Sequence, residues 1–224
     1  MLSLTAEEAK VRASSLGVGA LLAAAGGFLD GFTYLLHGHV FANAMTGNVV
    51  LLGINCFSGS WHTALRHIPP IIAFVAGVAV AQAMQERSKR RGDATSYAPV
   101  LLLEITVLLI LSLLPSTTKD ILFTISIAFA ASVQVQTFRK VNGRSYNSTF
   151  TTGNLRTLSE AAVAWSLGGH NQSSARTVRD FSVICVAFLL GAIAGGYTAP
   201  AFGNRALWCD IALLVLVTLA VKIK

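Results

Sequence analysis

Charge is scarce in this sequence of 224 residues. Charged residues make up 12% of the chain, against roughly 25% in a typical soluble domain, whereas hydrophobic residues reach 54%. A chain of this length cannot hide so much apolar surface inside one globule that faces water. The composition therefore excludes ordinary soluble enzyme folds and intrinsic disorder, and it predicts an integral membrane protein in contact with the lipid bilayer. The net charge of +7 then belongs to loops near the membrane, and no nucleic-acid partner is expected.

Cysteines and catalytic motifs are also scarce. The three cysteines, Cys56, Cys185 and Cys209, have no ligand spacing and form no CxxC pair, so we expect neither a metal site nor a disulfide framework. The sequence has no Walker A, GxSxG or HExxH motif. It therefore predicts a protein that is not an enzyme and that carries no cofactor.

Long apolar segments, by contrast, are abundant. A membrane-spanning helix needs about 20 mostly apolar residues. The segments that meet this requirement predict six spans within a single integral membrane domain over residues 1–224, namely 15–36, 68–85, 98–114, 120–138, 178–198 and 205–222. The first of them also resembles a signal peptide, because basic residues precede an alanine-rich run; the repeat described next uses the residues beyond that run, which favours a retained helix.

An internal repeat relates the two halves of the sequence. The tripeptide Thr-Gly-Asn occurs at Thr46-Gly47-Asn48 and again at Thr152-Gly153-Asn154, an offset of 106 residues (152 minus 46). Other pairs lie at the same offset: Asp30 with Gln136, Phe32 with Phe138, and Glu104 with Asp210. We interpret this as a duplication, with repeat one over about 15–114 and repeat two over about 120–222. Each repeat has three spans and one TGN segment, within 37–57 and 144–165.

Basic residues predict the topology of these repeats. If the TGN segments enter the membrane and return without crossing it, 14 of the 17 basic residues lie on the cytoplasmic side with both termini. The three on the opposite side are Arg66, Lys119 and Arg205. Three spans per repeat is an odd number, so the two repeats must be inverted relative to each other, as in many secondary transporters.

The TGN segments are predicted to be re-entrant half-helices. Irregular backbone at membrane depth is tolerated only where it is buried in protein or lines a wet cavity. A helix that starts there points unpaired N–H groups and a partial positive charge into the cavity, and Thr or Asn can cap its first turn. Two such starts can bind an anionic or polar solute near the midplane; the alternative is two turns that cap interfacial helices. The predicted substrate-binding residues are Asp30, Asn43, Thr46, Gly47, Asn48, Gln136, Thr152, Gly153 and Asn154.

Carboxylates inside predicted spans are the second group of candidates. Asp30 lies deep in the first span, and such a residue by default suggests a functional site, here proton coupling. A packing role is the alternative, because Gly27 and Gly31 permit close approach of a neighbouring helix. Glu104 and Asp210 are a secondary pair that either lines the cavity or lies near the interface with basic partners. His37 and His39 are expected to be solvated loop residues.

The segments GGFLDGFTYL and VFANAMTGNVVLLG and the second TTGN resemble the YoaK-type family of small multi-pass membrane proteins. The most specific stretch runs from Phe41 to Gly53, and the resemblance extends over almost the whole chain. It implies membrane localisation and no particular mechanism or site residues. The second copy departs from the first, with Asn147 at the position of Phe41.

The sequence therefore predicts an all-α membrane protein of six transmembrane helices, in two inverted three-helix repeats with re-entrant TGN half-helices. We expect a small-solute transporter or channel in the plasma membrane, with a homodimer as its oligomeric form. The alternative is a membrane scaffold or sensor that binds a protein partner, for which the basic loop 86–97 is the candidate surface.

Overall fold

A computed structural model describes residues 6–91, 97–168 and 171–222. Ten α-helices and one short hairpin follow each other in these ranges. The helices are α1 (Ala6–Ala13), α2 (Leu16–Leu36), α3 (Met45–Phe57), α4 (Trp61–Leu65), α5 (Ile68–Arg91), α6 (Ala98–Leu113), α7 (Asp120–Thr137), α8 (Thr151–Leu167), α9 (Gln172–Phe202) and α10 (Leu207–Lys222). Strands β1 (Lys140–Val141) and β2 (Arg144–Ser145) pair in antiparallel fashion, and a 3₁₀ turn (Gly203–Ala206) joins α9 to α10.

The all-helical prediction is confirmed, and the number of spans is only partly supported. Four segments of the described chain are long and apolar enough to cross a membrane: Leu16–Leu36, Trp61–Arg91, Asp120–Thr137 and Gln172–Val221. The fourth contains both α9 and α10, which are separated by the turn at Gly203, where φ is 57°. The helix Ala98–Leu113 is apolar but shorter. The six-span arrangement therefore remains a prediction.

Helices α2 and α7 run in opposite directions. At the end of α2, the side chain of His37 lies 3.1 Å from the Asp120 carboxylate at the start of α7. At the other end, the backbone N–H of Asn142, beyond α7, donates to the carbonyl of Ser14, just before α2. These two contacts define opposite ends of the molecule, which we call the His37 end and the Arg144 end.

Glycines bring α2 and α9 into backbone contact. A Cβ on Gly191 would collide with the carbonyl oxygen of Ala24, and one on Gly195 with that of Phe28. A Cβ on Gly31 would lie 2.7 Å from the oxygen of Ala192. Because residue numbers rise together on both helices, α2 and α9 are parallel. The packing role considered for the glycines near Asp30 is thus observed, as expected for small residues between apolar helices.

Helices α5 and α7 form a second parallel pair. A Cβ on Gly77 would lie 2.6 Å from the carbonyl oxygen of Phe129, and further along the side chain of Gln85 donates to the carbonyl of Gln136. Because α9 is parallel to α2, its last residues lie at the His37 end. The end of α6 lies there too, because the amide of Asn204, just after α9, donates to the carbonyl of Leu114 at 3.0 Å. The core between these helices is apolar and contains large buried side chains such as Phe28 and Phe123.

The basic loop expected over 86–97 is partly helical. Residues 86–91 form the last turns of α5, with Lys89, Arg90 and Arg91 at its C-terminal end. Cationic side chains are favourable there because they face the negative end of the helix dipole. Residues 92–96 lie outside the described residues.

Candidate functional site

The chain after α2 turns back along that helix. The backbone N–H groups of Asn43 and Ala44 donate to one carboxylate oxygen of Asp30, at 2.8 and 3.2 Å. The side-chain amide of Asn43 donates to the carbonyl of Gly26 at 3.2 Å. Since a helix rises 1.5 Å per residue, this return covers roughly 9–15 Å from the end of α2. Helix α3 therefore starts inside the molecule, beside the middle of α2.

The chain after α7 makes the equivalent return. The Ser148 hydroxyl donates to the amide oxygen of Gln134 on α7, at 3.3 Å. The backbone of Ser148 lies so close to Gly26 that a Cβ there would be 2.6 Å from the Ser148 carbonyl oxygen. Both returning loops therefore reach the same glycine of α2. The starts of the two following helices meet nearby, because Met45 and Phe150 belong to one apolar cluster around Ala73, Ala128 and Phe74.

The two TGN asparagines hold these loops in the same way. Asn48 accepts the backbone N–H of Phe41 at 2.9 Å and donates to the carbonyl of the same residue at 2.7 Å. Asn154 accepts the backbone N–H of Asn147 at 3.2 Å and donates to its carbonyl at 2.6 Å. Each asparagine thus clasps the residue seven positions earlier. Because each asparagine binds only the backbone groups of that earlier residue, the side chain there can differ, and it is phenylalanine at position 41 and asparagine at position 147.

The loops differ in what accepts their next N–H groups. In the first loop Asp30, a residue of α2, accepts them. In the second loop the side chain of Asn147 accepts the N–H groups of Thr149 and Phe150, at 2.9 and 3.2 Å, as a local turn. Gln136, the residue that the predicted repeat pairs with Asp30, makes neither bond and instead donates to Gln82 at 2.6 Å.

Neither half-helix has the side-chain cap that the sequence suggested. The N-cap residues are Ala44 for α3 and Phe150 for α8, and neither provides a side-chain cap. The TGN residues lie within the first helical turns, and the side chains of their asparagines bind backbone groups of the preceding loops. First-turn N–H groups therefore lack a capping side chain at both helix starts, and those of α8 are available to an anionic or polar group.

A polar groove of about 550 Å³ opens beside the start of α8. Arg139, between α7 and β1, and Arg156, on α8, line it together with Glu160. Three predicted site residues also line it, namely Gln136, Gly153 and Asn154. Arg156 and Glu160 form an exposed ion pair at 2.8 Å on one face of α8. The groove therefore offers the Arg139 guanidinium, the Arg156–Glu160 ion pair and an uncapped helix start to one solute.

The predicted residues of the first TGN segment are placed differently. Asn43 and Asn48 are fully buried, whereas Thr46 is exposed, as is Thr152 in the second segment. A Cβ on Gly47 would lie 2.9 Å from the ring of Phe41, so that ring covers the helix start. The two TGN segments thus share a backbone arrangement, and the second combines it with the polar groove.

Glu104 and Asp210 lie in the protein interior, and within the described residues neither forms an ion pair with a basic side chain. Glu104 is 1% exposed and Asp210 is fully buried. One oxygen of Glu104 accepts the amide of Gln134 at 2.9 Å, and Asp210 lies within electrostatic range of Glu104. Among the described residues, no donor contacts the second oxygen of Glu104 or either oxygen of Asp210. A polar chain therefore runs from Ser148 through Gln134 to this pair.

His37 was expected in solvent, but it is buried at the end of α2. Its ring stacks on Phe123 at 3.9 Å between centroids and bonds to Asp120. Burial lowers the pKa of His37 below its usual value, although the hydrogen bond and charge of Asp120 oppose this shift. A cavity of about 370 Å³, also lined by Arg66 and Lys119, opens beside it. His39 is exposed, as expected.

Comparison with known proteins places this architecture in a family. A family model described as Protein of unknown function (DUF1275) matches residues 18–220. The chain belongs to that family. It is also 27% identical over 210 residues to the UPF0700 transmembrane protein YoaK of Bacillus subtilis (strain 168), covering 91% of this chain and 92% of that protein. The resemblance to YoaK-type proteins is confirmed, and the chain is an integral membrane protein.

No solved structure matches the chain. The roles of Asn147, Gln134 and Arg139 in the two loops and the groove were missed by sequence reasoning. A signal existed for Asn147, since Asn-Ser-Thr is a typical start of a local side-chain turn. Gln134 and Gln136 together indicate a wet helix face, but the partners of Gln134 and the groove position of Arg139 depend on other segments of the chain.

Proposed function

We propose that the chain forms six membrane-spanning helices in two inverted repeats, each with a re-entrant half-helix. Helix directions support this arrangement. The loop before α3 begins at His37, and α4, which follows α3, lines the cavity beside His37. The chain therefore enters and leaves the α3 half-helix from the His37 end. The hairpin before α8 and the start of α9 likewise share a cavity at the Arg144 end. In the proposed inverted repeat, α2 corresponds to α7 and α9 corresponds to α5. The parallel pair α2–α9 therefore has the pair α7–α5, which runs in the opposite direction, as its equivalent.

We propose further that the protein is a transporter or channel for a small anionic or polar solute. The observation that carries this function is the uncapped start of α8 beside the groove of Arg139 and Arg156. Helix N-termini and guanidinium groups both favour an anion, and the partly exposed amide of Gln136 adds a hydrogen-bonding group. A groove of about 550 Å³ is within the range of small-molecule sites.

Asp30 is the proposed coupling residue. One of its oxygens accepts two backbone N–H groups, and the other has no partner among the described groups. The side-chain oxygen of Asn43, in the loop that Asp30 holds, also has no partner among them. Two buried acceptor atoms, one on α2 and one in this loop, each favour a donor, such as a proton on Asp30 or a hydroxyl of the solute. Protonation of Asp30 would then act on the loop before the first half-helix, while the second half-helix binds the solute.

The remaining parts of this proposal concern the setting of the protein. We propose the plasma membrane as its location, and the positive-inside distribution of basic residues favours both termini in the cytoplasm. No catalytic chemistry is proposed. A homodimer that covers α8 would shield the exposed pair of Arg156 and Glu160 from lipid, where an ion pair is costly. Chemical cross-linking of the detergent-purified protein, followed by mass measurement, tests the dimer.

The test of solute binding is thermal stability of the purified protein against small anions and polar metabolites. A ligand that binds only the folded state raises stability by about 2.7 kcal/mol at a hundredfold excess over its Kd. We expect a stabilising solute whose effect is lost in Arg139→Gln and retained in Arg87→Gln. Arg87 is an exposed arginine of α5 that does not line the groove, so it is the matched control.

Uptake of that solute into proteoliposomes then separates binding from transport. Asp30→Asn keeps an oxygen that can accept the two loop N–H groups but cannot titrate. If Asp30 couples protons, this variant binds the solute yet loses pH-driven uptake. Full pH-driven uptake by the variant would exclude coupling at Asp30. The absence of stabilisation by any solute, with no uptake, would favour the scaffold function instead.

A further inference from the structure

Three arginines surround a second cavity, distinct from the α8 groove, at the Arg144 end. Its volume is about 720 Å³. Two segments of the chain supply the arginines, Arg144 from the hairpin and Arg176 and Arg179 from the first turns of α9. The lining also contains Asn142, Gln172, Ser173 and Asp180.

The hairpin holds Arg144 in a defined place. Asn142 and Gly143 have φ values of 48° and 81°, as in the tight Asn-Gly turns that join antiparallel strands. The N–H of Asn142 is bound to Ser14, before α2, at 2.7 Å. The Arg144 guanidinium donates to the hydroxyl of Ser173 at 3.1 Å, which joins the hairpin to α9.

The charge of the cavity is not balanced. Asp180 is 2% exposed, and its two oxygens are occupied by Asn142 at 2.7 Å and Arg179 at 2.8 Å. Asp180 and Arg179 therefore neutralise each other. Within the described parts of the chain, no carboxylate pairs with Arg144 or Arg176. Two guanidinium groups from different elements are left facing one cavity.

We propose that this cavity binds a phosphate group through Arg144 and Arg176, with Ser173 as a further hydrogen-bonding group. Guanidinium groups bind phosphate oxygens in pairs of parallel hydrogen bonds, and two uncompensated charges match a phosphate dianion. The start of α9 adds the positive end of a helix dipole. The phosphate belongs either to a lipid headgroup or to a soluble molecule. The site does not depend on the proposed solute transport.

The test measures the melting temperature of the full chain in detergent, at constant ionic strength, with inorganic phosphate or short-chain phosphatidic acid. We compare the parent with Arg144→Gln/Arg176→Gln and with Arg176→Gln alone, which disturbs no hydrogen bond between the hairpin and α9. The control is Arg87→Gln/Arg90→Gln, which removes two charges at the same end of the molecule but outside the cavity. Losing one charged hydrogen-bonding group should weaken apparent affinity about tenfold or more.

Stabilisation of the parent and the control, with a weaker effect in both cavity variants, supports the site. If inorganic phosphate and phosphatidic acid both act, the phosphate group alone is sufficient. If only phosphatidic acid acts, and short-chain phosphatidylcholine does not, the source is an anionic lipid. An equal response of all variants, an equal effect of phosphatidylcholine, or no response to either probe would overturn the proposal.

Discussion

The two half-helix regions reach the same backbone arrangement by different means. Both have an asparagine clasp across seven residues, at Asn48 and Asn154. The backbone of the first loop is then held by Asp30, a residue of α2, whereas that of the second loop is held by Asn147 within the loop itself. Gln136, which the predicted repeat pairs with Asp30, holds neither loop and lines the groove beside α8. The two loops thus share a backbone shape, and the second combines it with a polar groove.

The largest expected effect concerns the helix pair that supports the first loop. Gly191→Ala places a Cβ against the carbonyl of Ala24, and backbone cannot move aside as a side chain can. We expect a loss of about 3 kcal/mol of stability, measured as a lowered melting temperature. Gly196→Ala on the same helix is the control, because its nearest atom, a methyl of Leu35, is 3.9 Å away. Equal losses in the two variants would contradict backbone contact.

The next largest effect tests whether the clasps are equivalent. Asn48→Ala and Asn154→Ala each leave a backbone N–H and a carbonyl without their partner, which should cost about 2–3 kcal/mol in either half. Asn55→Ala is the control, because Asn55 donates only to a carbonyl of its own helix. Thermal unfolding in detergent measures all three. A clasp variant as stable as the control would show that its half does not need the clasp.

Asymmetry between the loops is tested at Asp30 and Gln136, the two positions that the predicted repeat pairs. Asp30→Ala removes the acceptor for two N–H groups and should cost about 1–3 kcal/mol. Asp30→Asn keeps an acceptor oxygen and should lose less. Gln136→Ala should be close to neutral, since the Gln136 side chain contacts Gln82 at a partly exposed position. A loss at Gln136 equal to that at Asp30 would mean that both copies hold their loops.

The smallest effect is a pH dependence at the His37 end. Burial lowers the pKa of His37, so the unfolded chain takes up its proton first as the pH falls. The contribution of His37 to stability is therefore complete above the unfolded value of about 6.5 and is lost as the pH falls through the lower folded value. A plot of melting temperature against pH across this range should therefore be flatter for His37→Gln than for the parent. His39→Asn, at an exposed position, should leave the pH dependence unchanged.

Sequence patterns predicted helix positions well where apolar residues define them. The predicted span 15–36 corresponds to Leu16–Leu36 and the span 120–138 to Asp120–Thr137. The span 178–198 was too short, because the helix Gln172–Phe202 extends at both ends beyond the apolar run. Apolar length measures what lipid tolerates, whereas a helix can continue into polar surroundings.

The sequence by itself determined that this chain belongs in a membrane, that it is helical, and that two TGN segments correspond. These properties follow from local composition and spacing. Only the tertiary structure decided that Asp30 holds its loop, that Gln136 does not, and that Glu104 and Asp210 are buried near each other. The physical reason is that hydrophobicity acts over neighbouring residues, whereas a buried polar atom takes its partner from whichever segment packs beside it.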